Sequence, residues 1–207
     1  MRGAAPTDAV EPLDGANWHT LILGIGNILW ADEGFGVRTA EALNAAYRFP
    51  AGVRLMDGGT QGIFLLPWVR SADNLLIFDA IDFGLEPGSL RLIRDEDVPC
   101  FMGAKKISMH QAGFQEVLSS AALSGQYPGR LALIGVQPEL LDDYGGSLTP
   151  CVRARIPRAI ELGIGVLEEW GVRLERRGRP PGEADLIGPR AMELGEYELG
   201  RPGPGRP

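Results

Sequence analysis

A chain of 207 residues, 44% hydrophobic and 23% charged, is long enough for one well-packed domain and short for two, and its balance argues against a disordered or fibrous protein. A net charge of −7 argues against a face that neutralises nucleic-acid phosphates and suits a neutral or basic protein partner, or a metal cation. No apolar run approaches the ~20 residues that span a bilayer, and the first twenty residues lack the basic-then-apolar layout of a secretory signal, so the expectation is a cytoplasmic protein with no membrane partner.

Residues 1–18 read as a flexible lead. Residues 19–26, HTLILGIG, form a short apolar run closed by glycines, the pattern of a strand buried on both faces. GVRTAEALNAAYRF then sets Val37, Ala40, Leu43 and Tyr47 at helical spacing. VRLMDGGT predicts a second strand, and QGIFLLPWVRSA a short helix interrupted near Pro67. NLLIFDAID, residues 74–82, is the third and most hydrophobic strand. SLRLIRDE alternates apolar and polar residues and reads as an edge strand with one wet face. SMHQAGFQEVLSSAAL predicts a helix packed through Phe114, Val117, Leu118 and Ala121, and RLALIGVQP another buried strand. TPCVRARIPRAIELGIGVLEEWGV predicts one long closing helix, with Thr149 as its N-cap and Pro150 at its first position. This alternation implies a single three-layer α/β domain over residues 19–172, a twisted, mostly parallel sheet with helices on both faces. Residues 173–207, rich in proline, glycine and charge, are expected to be a disordered tail. Cys100 and Cys151 form no C-x-x-C pair, which fits a reducing compartment and argues against a thiolate metal site.

LGIGNILWADEGFGV, residues 23–37, resembles a dinucleotide-binding turn in Gly24 and Gly26, but Leu29 stands where the third glycine would allow close helix-to-strand packing. Asp32 and Glu33 then place negative charge where phosphate would lie, so no nucleotide cofactor is expected. Asp32 reads as a solvated neighbour. Three groups fall just beyond carboxyl ends of strands: Glu33 after the first, Asp79 at the end of the third, and His110 in the loop before the HQAGFQEVL helix. Two carboxylates and an imidazole suit a first-row divalent metal with open coordination positions. Each also has a plainer reading. Glu33 serves as a cap or a solvated loop acid, and His110 as a surface or capping residue. Asp79, directly after LLIF, needs hydrogen bonds or a cation to offset its desolvation. His19, at the opposite end of the sheet, reads as structural. Asp57, in DGGTQG, suits either a ribose contact or a turn exposing backbone amides to a peptide.

The segments LGIGNILWADEGFGVR, DGGTQG, IFDAID, GAKKISMHQAGFQEVL and LIGVQP are similar, in order and spacing, to those of the hydrogenase maturation endopeptidases, over roughly residues 21–172. The resemblance implies a phosphorylase/hydrolase-like α/β fold and a protease that removes the C-terminal extension of the nickel-iron hydrogenase large-subunit precursor. It carries the family's nickel-contacting residues onto Glu33, Asp79 and His110, with nickel supplied in the precursor. Its glycine-rich substrate segment falls on Asp57, Gly58, Gly59 and Thr60, with Asp57 a candidate auxiliary acid or base. The implied partner is the precursor, and the enzyme alone is expected to be a monomer without nucleic acid. With no Ser-His-Asp, Cys-His or H-E-x-x-H set, the residues name no nucleophile. The alternatives are a nickel-sensing chaperone of the precursor that does not cut it, and a nucleotide-dependent oxidoreductase, which Leu29 and the two acids disfavour.

Overall fold

A computed structural model describes residues 18–99 and 109–200, with the backbone alone at 109–112. In chain order its elements are β1 (Thr20–Ile25), α1 (Phe35–Ala46), β2 (Tyr47–Arg48), β3 (Val53–Gly59), α2 (Leu66–Arg70), β4 (Asn74–Ala80), β5 (Leu90–Arg94), α3 (Met109–Leu123), β6 (Arg130–Val136), α4 (Pro150–Arg153), α5 (Ile156–Glu169), β7 (Glu175–Arg176) and α6 (Leu194–Leu199). One five-stranded sheet runs β3-β1-β4-β6-β5. Its strands are parallel except β5, which pairs antiparallel with β6 at the edge and is only partly buried, as its alternating sequence predicts.

Every residue of β1 and β4 is buried, because helices cover both faces of the sheet. Strand alternation sends Leu21, Leu23, Leu75 and Ile77 to one face, where they meet Val69 of α2 and Phe114, Val117 and Leu118 of α3. Ile22, Leu76 and Phe78 go to the other face, against Leu43 of α1 and Ala159, Val166 and Leu167 of α5. Each such side chain contributes about 1.5–3 kcal/mol when fully buried. The chain leaves β1 for β3 on one side and returns from β3 to β4 on the other. The carboxyl ends of β1 and β4 therefore flank the point where strand order reverses, the usual place for a ligand crevice.

The missing third glycine is supplied further along. A Cβ on Gly36 would lie 2.1 Å from the Phe78 carbonyl oxygen and 2.2 Å from that of Ile25, so the first turn of α1 rests directly on the ends of β4 and β1. Gly24 accommodates the same approach from below, since a Cβ there would meet the Gly36 oxygen at 2.5 Å.

Three expectations are corrected. The closing helix is broken into α4 and α5, because Pro157, near the start of α5, has no N–H with which to continue the α4 ladder. Thr149 precedes α4 in extended conformation, but its hydroxyl makes no capping bond and turns instead to Asp32. Beyond Val172, residues 173–200 are not a free tail: they form an arm along the outer side of α1. Tyr47 of β2 pairs with Arg176 of β7, the Asn44 side chain donates to the Asp185 carbonyl at 2.8 Å, Arg38 donates to the Met192 carbonyl, and Arg38 also stacks over Tyr197. Polar anchors rather than an apolar stripe hold this segment, so hydrophobic periodicity does not announce it. Residues 1–17, 201–207 and Cys100 lie outside the described residues.

Candidate functional site

The loop after β1 folds back on itself. Gly26 has φ of +131°, and a Cβ there would lie 1.8 Å from the Glu33 carbonyl oxygen, so only glycine permits the return. The Gly26 N–H donates to the Gly59 carbonyl at 3.1 Å, tying this loop to the end of β3. A short 3-10 turn, Ala31–Gly34, then presents Glu33, half-buried, immediately before α1. Because Gly36 seats that helix on the Phe78 carbonyl, the Glu33 turn is held beside the end of β4, where Asp79 is the next residue.

Asp32 is not solvated. It has no exposed surface, and its carboxylate accepts main-chain N–H groups from Thr149 at 2.7 Å, Glu139 at 2.9 Å and Leu140 at 3.0 Å, together with the Thr149 hydroxyl. Nothing in the local sequence separates this acid from its exposed-looking neighbour, because its partners come from more than a hundred residues away.

Asp79 is fully buried, and one carboxylate oxygen accepts the following N–H, that of Ala80, at 2.8 Å. Strand alternation places it on the face of Leu75 and Ile77, the face that α3 covers. His110 lies in the first turn of α3 rather than in the loop before it, and so at the end of the helix packed on that face; its side chain is outside the described residues. Among the described residues no group of three His, Cys, Asp or Glu side chains is placed to hold a metal ion. The loop after β4 is organised by Gln137, which sequence reasoning missed: its side-chain oxygen accepts the N–H groups of Phe83 at 2.7 Å and Leu85 at 3.1 Å, while its nitrogen donates to Asp82.

Asp57 stands apart from this group. It pairs with Gly24 two residues beyond Leu55, so its side chain shares the face of Leu55, opposite to that of Asp79, with α1 and the arm. Its Oδ1 is buried without a hydrogen-bond partner, and burial pushes its carboxyl pKa up, with the Gly59 amide and the Arg38 guanidinium pulling more weakly the other way. The arm approaches closely enough that a Cβ on Gly188 would lie 3.7 Å from its Oδ2. Gly58 is buried against Ile25, Gly59 takes a positive φ of +43°, and Thr60 is exposed at the rim. Gln61 closes the turn by donating to the Asp57 carbonyl at 2.9 Å. Just beyond, in the 3-10 turn Gly62–Leu65, the apolar side chain of Phe64 is 78% exposed.

Comparison with known proteins gives a consistent result. A family model described as hydrogenase maturation protease (HycI) matches residues 37–166. The hydrogenase expression/formation protein HoxM of Azotobacter vinelandii is 58% identical over 184 residues, 89% of this chain and 87% of that protein. The hydrogenase 2 maturation protease of Escherichia coli is 45% identical over 153 residues, 73% of this chain and 92% of that protein. Among solved structures, the hydrogenase maturating endopeptidase HybD from E. coli aligns with a TM-score of 0.73 at 43% identity, covering 77% of this chain and 98% of that one.

Proposed function

Because the chain belongs to the hydrogenase maturation protease family, we propose that its substrate is the precursor of a nickel-iron hydrogenase large subunit, and that it removes the precursor's C-terminal extension after nickel has been inserted. Nickel enters as part of the substrate. Glu33, Asp79 and His110 contact it from the enzyme's side, and the turn of Gly58, Gly59 and Thr60 receives the peptide around the scissile bond.

The observation that carries this reading is the meeting of three segments at one end of the sheet. The Glu33 turn sits beside the end of β4, which carries Asp79, and α3, with His110 in its first turn, packs on the face where Asp79 lies. The donor chemistry fits, since carboxylate oxygens and an imidazole suit a first-row divalent ion. A carboxylate with no exposed surface at the end of an apolar strand also gains from a neighbouring cation. Bound nickel supplies Lewis acidity toward the scissile carbonyl; the chain's own residues hold it in register with the bond to be cut. An acid or base role for Asp57 would have to act from the other face of the sheet, where Arg38 and Glu41 give it a place under the arm.

With three ligands on separate segments and no thiolate, the enzyme alone binds free divalent ions only modestly and works as a monomer without nucleotide. The test is incubation with nickel-loaded and nickel-free precursor, followed by intact-mass spectrometry. Only the loaded precursor should be shortened at its C-terminus. Equal cleavage of both would refute recognition through nickel, and tight binding without cleavage would assign a chaperone instead.

A further inference from the structure

We propose that Asp32 positions Glu33 toward the metal of the substrate by locking the turn of residues 31–34 to the loop of residues 137–149, with Thr149 as the other half of the lock. The proposal rests on the reading of Glu33 as a nickel contact.

The lock is built from both sides. Asp32 uses its two carboxylate oxygens to accept three main-chain N–H groups and one hydroxyl, close to the whole capacity of a carboxylate, while its own N–H donates to the Leu140 carbonyl at 3.1 Å. The two segments also meet where the Gly145 N–H donates to the Leu29 carbonyl at 2.7 Å and where the Trp30 and Tyr144 rings pack edge to face. Ala31, between them, takes a positive φ of +39°, a conformation a non-glycine residue holds only when its surroundings impose it. Glu33 follows directly. Its N–H donates to the Trp30 carbonyl at 2.9 Å and its carbonyl rests on Gly26, so its backbone has a fixed place once Asp32 is fixed.

An amide cannot replace this carboxylate. Asparagine would accept through one oxygen and turn its NH2 toward the donor N–H groups of Thr149 or of Glu139 and Leu140. The turn would then loosen, while α1, seated independently by Gly36 on the Phe78 and Ile25 carbonyls, would stay where it is. A role in folding alone predicts uniform loss of binding-competent protein; a positioning role predicts loss of the response to nickel.

The experiment measures affinity for nickel-loaded and nickel-free precursor by rapid-mixing anisotropy, reading complex formation before cleavage, for wild type, Glu33→Gln, Asp32→Asn, Thr149→Val and Thr149→Ser. Wild type should prefer the loaded precursor and Glu33→Gln should not. Asp32→Asn should lose about tenfold of that preference, the size of one charged hydrogen bond, with affinity for the nickel-free precursor unchanged. Thr149→Val, which keeps the N–H and loses the hydroxyl, should lose a smaller part even if Asp32→Asn folds poorly. Thr149→Ser, which keeps both donors, should restore the wild-type preference. Retention of the preference by Asp32→Asn and Thr149→Val, or a loss of affinity equal for both precursors, would overturn the proposal while leaving the nickel reading intact. A wild type indifferent to nickel would overturn the reading beneath it and the proposal together.

Discussion

The guanidinium Nε of Arg177 donates to the main-chain carbonyls of both Asn44 and Tyr47, at 2.8 and 2.9 Å. These carbonyls lie at the C-terminal end of α1, where helix acceptors lack partners within the helix and a cation is favoured. The arm therefore caps the helix it crosses. Arg177→Ala should cost about 1–2 kcal/mol and lower Tm by about 2–8 °C, with truncation after Val172 costing more. Calorimetry on the two variants checks this; a truncated chain melting with the full one would show that the arm adds nothing to the fold.

The acids beneath the arm should make stability depend on pH. Burial pushes the carboxyl pKa of Asp57 up, and that of Glu41 as well, where Arg38 opposes the shift. A folded chain that holds a proton more tightly than the unfolded chain loses stability as pH rises through the folded pKa, and is relieved below the unfolded value of about 3.9–4.3. Asp57→Asn should thus raise the urea midpoint at pH 7 and bring little gain near pH 4. An equal gain at both pH values would assign the effect to packing rather than charge.

The proposed nickel contacts should separate activity from stability. Glu33→Gln and Asp79→Asn should each reduce processing of the loaded precursor by at least about a hundredfold, as the loss of an essential metal contact would. Their stability should stay within about 1 kcal/mol of wild type, because neither opens a cavity and the amide introduced by Asp79→Asn keeps an oxygen for the Ala80 N–H. Mass spectrometry of the product and a melting curve on the same sample decide it. Unimpaired processing by both would remove these residues from the site.

Gly36→Ala tests the seat of α1. With strand carbonyls 2.1 and 2.2 Å from the new Cβ, the helix must move, at a cost of about 3 kcal/mol or more and a Tm lower by roughly 6–12 °C. Gly165→Ala, on α5 with open space around its Cβ position, is the control and should be neutral or slightly stabilising. Equal melting of the Gly36→Ala chain and wild type would show that the helix is not held by this contact.

Much of the architecture was legible because it rests on local pattern. The unbroken apolar runs of β1 and β4 announce strands covered on both faces, and the alternation in β5 announces a half-wet edge. The same apolar runs put Glu33 just beyond β1 and Asp79 at the end of β4, where they stand. What stayed hidden depends on distant partners. The burial of Asp32 is decided by Glu139, Leu140 and Thr149, and the arm is held by Arg38, Asn44 and Arg177, side chains that look like ordinary surface residues of a helix and a tail. The separation of Asp57 from Asp79 is a matter of strand parity and register, which motif spacing does not encode. Leu29 looked like a defect in a glycine pattern because Gly36, seven residues later, performs the close packing.

The far end of the arm reaches the loop that carries Thr149. Tyr197 donates from its hydroxyl to the Gly146 carbonyl at 3.3 Å and Ser147 donates to Glu198 at 2.5 Å, two residues before the threonine that holds Asp32. A nick between Val172 and Tyr197 would leave the sheet whole yet free those two anchors, so damage would register first in the frame around Glu33 and only later in the core. On the proposed role of Glu33, the integrity of the arm is thereby written into the geometry with which the enzyme meets its substrate.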